Sequence, residues 1–215
     1  MIPAAKVILT SDDFGLSRIY NEKILEMLKI QESLSSVSVM VKRISPEQIT
    51  QLKELVNISK EKDISIGLHL ELSSTNYIDE AEKQFFLFEN YFGFSPDYID
   101  IHKSSCFKGD YDLLAEYCNL QCVAFRKYPL TTKAVASPTL SILATSVEKE
   151  ELERRIKNFE ENKIYEIIFH IGVYDPDSKS TLNRERELDI IKLQNVYQWI
   201  KEERMIIVNY KNLRK

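Results

Sequence analysis

The chain has 215 residues, of which 44% are apolar and 29% charged, and its 29 Lys and Arg against 33 Asp and Glu give a formal charge of −4. That composition supplies the core of one globular domain over 1–215 and excludes disordered or collagen-like chains. It offers no basic cluster of the kind that phosphate backbones require, so nucleic acid is not an expected partner.

In chain order, an apolar run from Lys6 to Thr10 ends in Ser-Asp-Asp, and Gly15, Ser17 and a stretch to Ile30 with Ile24, Leu25 and Leu28 on one face predict strand, turn and helix. Val37, Val39 and Val41 alternate with small or unbranched residues as a second strand. Ser45-Pro-Glu-Gln48 then offers a Ser cap, a first-turn proline and a glutamine three residues on. Residues 64–72 place Ile64, Ile66, Leu68, Leu70 and Leu72 on one face of a strand, with Ser65, Gly67, His69 and Glu71 on the other. A helix over 79–92 and a strand over 98–102 follow, the strand setting Asp100 and His102 on one face.

Residues 111–119 predict a short helix and 123–128 a strand, whereas 129–144, marked by Pro129 and Pro138, reads as irregular. Thr145 with Glu148 predicts a capping box for a helix to about Asn162, and 165–170 a buried strand. A helix over about 183–204 and the strand 205–210 close the chain. This alternation predicts an α/β fold: a single-domain, layered or barrel-like arrangement of about seven parallel strands with helices outside.

The longest apolar runs, such as Val7 to Leu9 and Ile167 to Phe169, are far short of the roughly 20 residues that span a bilayer, so no membrane partner is expected. Paired aspartates interrupt the opening MIPAAKVILTSDDFG before a signal-peptide core is complete, and a cytoplasmic location is the expectation. Cys106, Cys118 and Cys122, an odd number without a CxxC pair, predict reduced thiols. Only 5 glycines occur where an average usage of about 7% gives roughly 15, which leaves no phosphate-binding loop of the Walker or dinucleotide type.

Asp12, Asp13, His69, His102 and His170 all fall at or near the C-terminal ends of predicted strands, the rim where parallel α/β folds bind ligands. Singly, an Asp pair before a helix reads as a turn or cap and a strand histidine as a hydrogen-bonded structural residue. All three histidines of the chain on one rim with a double carboxylate point instead to a metal or acid/base site. One carboxylate with two imidazoles is a ligand set for a divalent ion, and the second aspartate is then free to take a proton. Gly15, Gly67 and Gly172 lie two residues from Asp13, His69 and His170, as backbone approaching a ligand, or tight turns, would require.

The segment SDDFGLSRIYNEKILE resembles the opening ADDFG motif of the YdjC-like (ChbG/HpnK) carbohydrate deacetylases. IGLHLEL is similar to that family's second motif, DIH to its aspartate-x-histidine motif, VAFRKYP to its arginine segment, FHIGVYD to its late His-x-Gly motif, and NRERELDII with MIIVNYKNL to its final helix and strand. The resemblance implies a distorted (β/α) barrel that removes acetyl groups from N-acetylated sugars with one divalent cation. By motif, Asp13, His69 and His102 match the metal ligands, Asp12 the base, His170 the general acid, and Arg126 a residue near base or substrate. Imidazoles favour Zn2+, and the resemblance also allows Mg2+.

The chain departs from the family where Lys103, Ser104 and Ser105 replace further histidines, where Ile171 replaces a proline, and in the short stretch between His69 and His102. These departures imply a different or smaller substrate. Six aromatics within 85–94 predict helix core or a contact between two copies, so a homodimer is one expected assembly. Two alternatives remain open from the residues: a metal-dependent phosphoesterase or other amidohydrolase, and a catalytically altered member that binds a glycan without turnover.

Overall fold

The computed structural model describes residues 4–30, 34–73, 75–126 and 136–213. In order it forms β1 (Lys6–Phe14), α1 (Arg18–Ile30), β2 (Ser36–Val39), α2 (Ile49–Lys62), β3 (Ser65–Leu70), α3 (Tyr77–Phe92), β4 (Tyr98–Ile101), α4 (Tyr111–Leu120) and β5 (Ala124–Phe125). There follow β6 (Leu140–Leu143), α5 (Lys149–Lys157), β7 (Ile164–Phe169), α6 (Asn183–Glu202) and β8 (Ile206–Ile207).

Seven strands run in the order β5-β4-β3-β2-β1-β7-β6, with β8 pairing β1 beside β2, and every pairing is parallel. The sheet curls into an open, distorted (β/α) barrel whose first strand is interior, between β2 and β7. Along β1, Lys6 to Ser11 pair with β7 on one edge, while β8 and then β2 share the other.

The strands alternate by face. Val7, Leu9, Val37, Val39, Ile66, Leu68, Ile99, Ile101, Ile167 and Phe169 turn outward into one core with Leu25, Leu28, Leu52, Leu55, Phe88, Leu114 and Leu193 of the helices. At about 1.5–3 kcal/mol for each such side chain buried, this layer holds the strand ends rigid. The inner face is polar: Thr10, Ser38, Asp100, Arg126, Ser141 and Glu166 bond one another across strands. Beneath them the Tyr98 and Tyr210 rings stack at 3.7 Å and, with Ile8 and Ala124, fill the floor.

The capping box at Ser45 and Gln48 forms as expected, in a 3-10 turn that leads into α2. Three expectations are corrected. Residues 140–143, within the stretch expected to be irregular, form β6 on the edge of β7; residues 127–135 lie outside the described residues. The helix expected from Thr145 starts at Lys149 behind Glu148, which gives it no side-chain cap, and it ends at Lys157. The closing strand is only Ile206–Ile207, because Asn209 turns out of the strand to hydrogen-bond Asp63 and a 3-10 turn follows at Tyr210.

The aromatic run on α3 divides: Phe85, Phe88 and Phe92 enter the core, while Phe86 stays 65% exposed. Among the described residues no helix is long and apolar enough to cross a membrane.

Candidate active site

The site begins with an irregularity in β1. Ser11 pairs with Val37 and Phe14 with Val39, so Asp12 and Asp13 together face the single residue Ser38, which is a β-bulge. Asp13 takes φ +68, a left-handed conformation that costs a non-glycine residue roughly 1–3 kcal/mol. In a regular strand the two carboxylates would point to opposite faces. The bulge brings both into the barrel, Asp12 onto Arg126 and Asp13 towards His69 and His102.

Three ligand-type atoms converge there. Asp13 Oδ1 lies 3.4 Å from His69 Nε2 and 3.4 Å from His102 Nδ1, and the two ring nitrogens are 3.2 Å apart. A tetrahedral ion with bonds of about 2.0–2.1 Å needs ligand edges of roughly 3.3–3.4 Å. The triangle matches that edge, and Asp13 Oδ1 is a buried atom without a hydrogen-bond partner. The other oxygen, Oδ2, accepts from Arg186 Nη2 at 2.6 Å. His69 Nδ1 lies 2.6 Å from Asp100 Oδ2, the kind of contact by which a carboxylate fixes the orientation of an imidazole. These residues fit a divalent cation.

Charge points the same way. Asp12, Asp13, Asp100 and Glu166 face Arg126 and Arg186, all nearly inaccessible to solvent, so four carboxylates meet two guanidiniums and two negative charges remain. Burial alone would raise the Asp13 carboxyl, yet contacts from His102 and His69 and the charge of His170 hold it well below the ordinary range. Burial would likewise depress His69, but the Asp100 and Asp12 charges push it well above its usual value. A cation held between Asp13, His69 and His102 would meet this excess of buried negative charge directly.

Arg126, expected near base or substrate, is 2% exposed and fully engaged. Its Nη1 and Nη2 reach Asp12 Oδ2 and Oδ1 at 2.8 and 2.9 Å, and Nε and Nη2 reach Glu166 at 2.9 to 3.1 Å. Nη1 also bonds Asp100. Glu166 is locked in turn by the hydroxyls of Thr10 and Ser141, each at 2.7 Å.

His170, just beyond β7, places Nε2 3.9 Å from Asp13 Oδ2. Its backbone N–H donates to Asp189 Oδ2 at 2.8 Å, and its Nδ1 lies 2.9 Å from Thr145 Oγ1. His102 and His170 side chains are 20% and 13% exposed against 3% for His69, so the site opens on their side.

The structure therefore brings Asp12, Asp13, His69, His102, Arg126 and His170 to one rim. Sequence reasoning did not single out Glu166, Asp189, Arg186 or Thr145 as site residues. Gly67 and Gly172 make room for side chains of this chain: a Cβ would lie 2.3 Å from the Tyr98 ring at the first and 2.8 Å from Tyr20 at the second.

No protein-family model and no curated protein matches the sequence. Among solved structures, one from Enterococcus faecalis named for cellobiose-phosphate cleavage is similar at TM-score 0.79 and 18% identity, over 98% of this chain and 99% of that one. A chitin deacetylase from Colletotrichum lindemuthianum is similar at TM-score 0.61 and 14% identity, over 99% and 88%. A family 4 acetyl xylan esterase from Clostridium thermocellum, in complex with a cobalt ion, is similar at TM-score 0.59 and 16% identity, over 97% and 89%. At these identities the likeness defines the fold, a curled parallel barrel of this type.

Proposed function

We propose that residues 1–215 form one domain of a metal-dependent hydrolase that removes the acetyl group from an N-acetylated amino sugar or its conjugate. The observation that carries this reading is the triangle of Asp13 Oδ1, His69 Nε2 and His102 Nδ1, flanked by Asp12 and by His170 Nε2. The named activities of the chitin deacetylase and the cobalt-bound esterase, which share the fold, support it. Asp13, His69 and His102 would hold the cation, and edges of 3.2 to 3.4 Å suit zinc better than octahedral magnesium, which needs roughly 2.8–3.0 Å.

A cation bound there supplies Lewis acidity, polarising the acetamido carbonyl and acidifying a water. Asp12 is the base. Arg126 donates once to each Asp12 oxygen, which fixes the carboxylate and leaves one lone pair on each for a proton. Arg126 thus acts through Asp12 as a positioning residue, with Glu166 setting its plane. As the water oxygen bonds to the carbonyl carbon, Asp12 takes its proton. The C–N bond breaks while His170 Nε2 delivers a proton to the departing nitrogen, giving acetate and the free amine.

The test is acetate release from a panel of N-acetylated mono- and oligosaccharides, with zinc, with magnesium and with a chelator. Metal-dependent release is the expected result. Absence of release from the whole panel by metal-loaded protein would refute the reading.

A further inference from the structure

We propose that Thr145 is a positioning residue that fixes the tautomer of His170, keeping a hydrogen on Nδ1 and presenting Nε2 as the only proton-exchanging ring atom. The sequence suggests a helix cap for Thr145, but its Oγ1 contacts no amide of α5. It lies instead 2.9 Å from His170 Nδ1 and 2.6 Å from Asp189 Oδ2.

The direction of these bonds follows from counting hydrogens. A threonine hydroxyl has one, and a carboxylate only accepts. Asp189 Oδ2 already accepts the His170 backbone N–H at 2.8 Å and takes the Thr145 hydrogen as its second donor. The remaining contact closes only if His170 Nδ1 carries a hydrogen and donates it to Thr145. Nε2 then holds the lone pair of the neutral ring, 3.9 Å from Asp13 Oδ2.

The relay is built rather than incidental. Thr145 sits in the 3-10 turn Ala144–Ser146 directly after β6, and Lys192 Nζ grips that turn at the carbonyls of Ala144 and Val147, at 2.7 and 2.8 Å. Lys192 and Asp189 stand three apart on α6, one face of one helix. One helix therefore fixes both the turn that carries Thr145 and the carboxylate that orients its hydroxyl.

The consequence for catalysis rests on the reading of His170 as proton donor, whereas the tautomer is measurable without turnover. The experiment is a two-bond proton–nitrogen correlation spectrum of protein labelled with 15N-histidine, with chelator and in the alkaline range where imidazoles are neutral. His170 is assigned by the signal lost in His170→Asn. The expected result is a protonated Nδ1 in the unaltered protein, retained in Thr145→Ser and shifted towards the Nε2–H form in Thr145→Val. An Nε2–H tautomer in the unaltered protein would mean that Asp189 carries the proton and the relay runs backwards, and would overturn the proposal. An unchanged tautomer in Thr145→Val would overturn it equally. In acetate release, Thr145→Val should lower kcat roughly tenfold or more at unchanged KM, with Thr145→Ser restoring it. Absence of release by every form, beside the expected tautomers, would refute the deacetylase reading and leave the relay standing.

Discussion

Arg186 Nη2 donates to Asp13 Oδ2 at 2.6 Å, joining α6 to the β1 bulge. The guanidinium is fully buried, lies over the Tyr20 ring at 4.0 Å, and occupies one oxygen of the carboxylate. That bond leaves Oδ1, which has no hydrogen-bond partner of its own, as the oxygen turned towards His69 and His102.

Removing one partner of a buried ion pair costs about 3–5 kcal/mol, because the other charge is left uncompensated. Arg186→Met is expected to lose stability of that order without metal and to regain more on adding zinc than the unaltered protein does. Urea unfolding with and without zinc measures both. Equal stability of the two proteins in chelator would contradict the pairing.

The two aspartates should separate. Asp13→Asn is expected to lose zinc affinity, whereas Asp12→Asn should retain it and lose turnover by roughly 10²-fold or more, the usual scale for a general base. Zinc titration calorimetry beside acetate release distinguishes them. The same loss of zinc in both variants would show that the roles are misassigned.

Stability should also depend on pH through His69. Its folded-state value is raised, so the stability it contributes is complete below the unfolded value of about 6.5 and is lost as pH rises through the folded one. Metal-free protein is therefore expected to weaken as pH climbs above about 6.5, and His69→Gln to flatten that slope. Zinc binding should strengthen over the same window, since the ion displaces the proton. Denaturation midpoints in chelator across the range check this, and a metal-free stability that rises with pH there would count against it.

How much of this was legible in the sequence depends on contrast. Asp12, Asp13 and the histidines stand out because rare polar residues end apolar strand runs, and the alternation over 64–72 already turns His69 inward. Glu166 gave a usable signal, a lone charge inside the run Tyr165 to Phe169. Arg186 and Asp189 gave none: they sit among charges on a long helix, where such residues are normally solvated. β6 was hidden because four residues after a proline-marked stretch show no period. The bulge was unreadable too, since register belongs to the pairing with β2 and to no single strand.

His170→Asn is expected to bind zinc as the unaltered protein does while kcat falls by roughly 10²-fold or more, and His102→Ala to lose zinc. Metal content after dialysis, measured beside acetate release, checks the pair. Full activity in His170→Asn would return that histidine to a structural role at the strand end.

Where the cation binds is decided by anomalous scattering from crystals of zinc-loaded protein, collected on both sides of the zinc absorption edge. One edge-dependent peak is expected within bonding distance of Asp13 Oδ1, His69 Nε2 and His102 Nδ1, with His170 outside the shell. A peak coordinated by His170, or zinc-loaded crystals with no peak at this triangle, would contradict it.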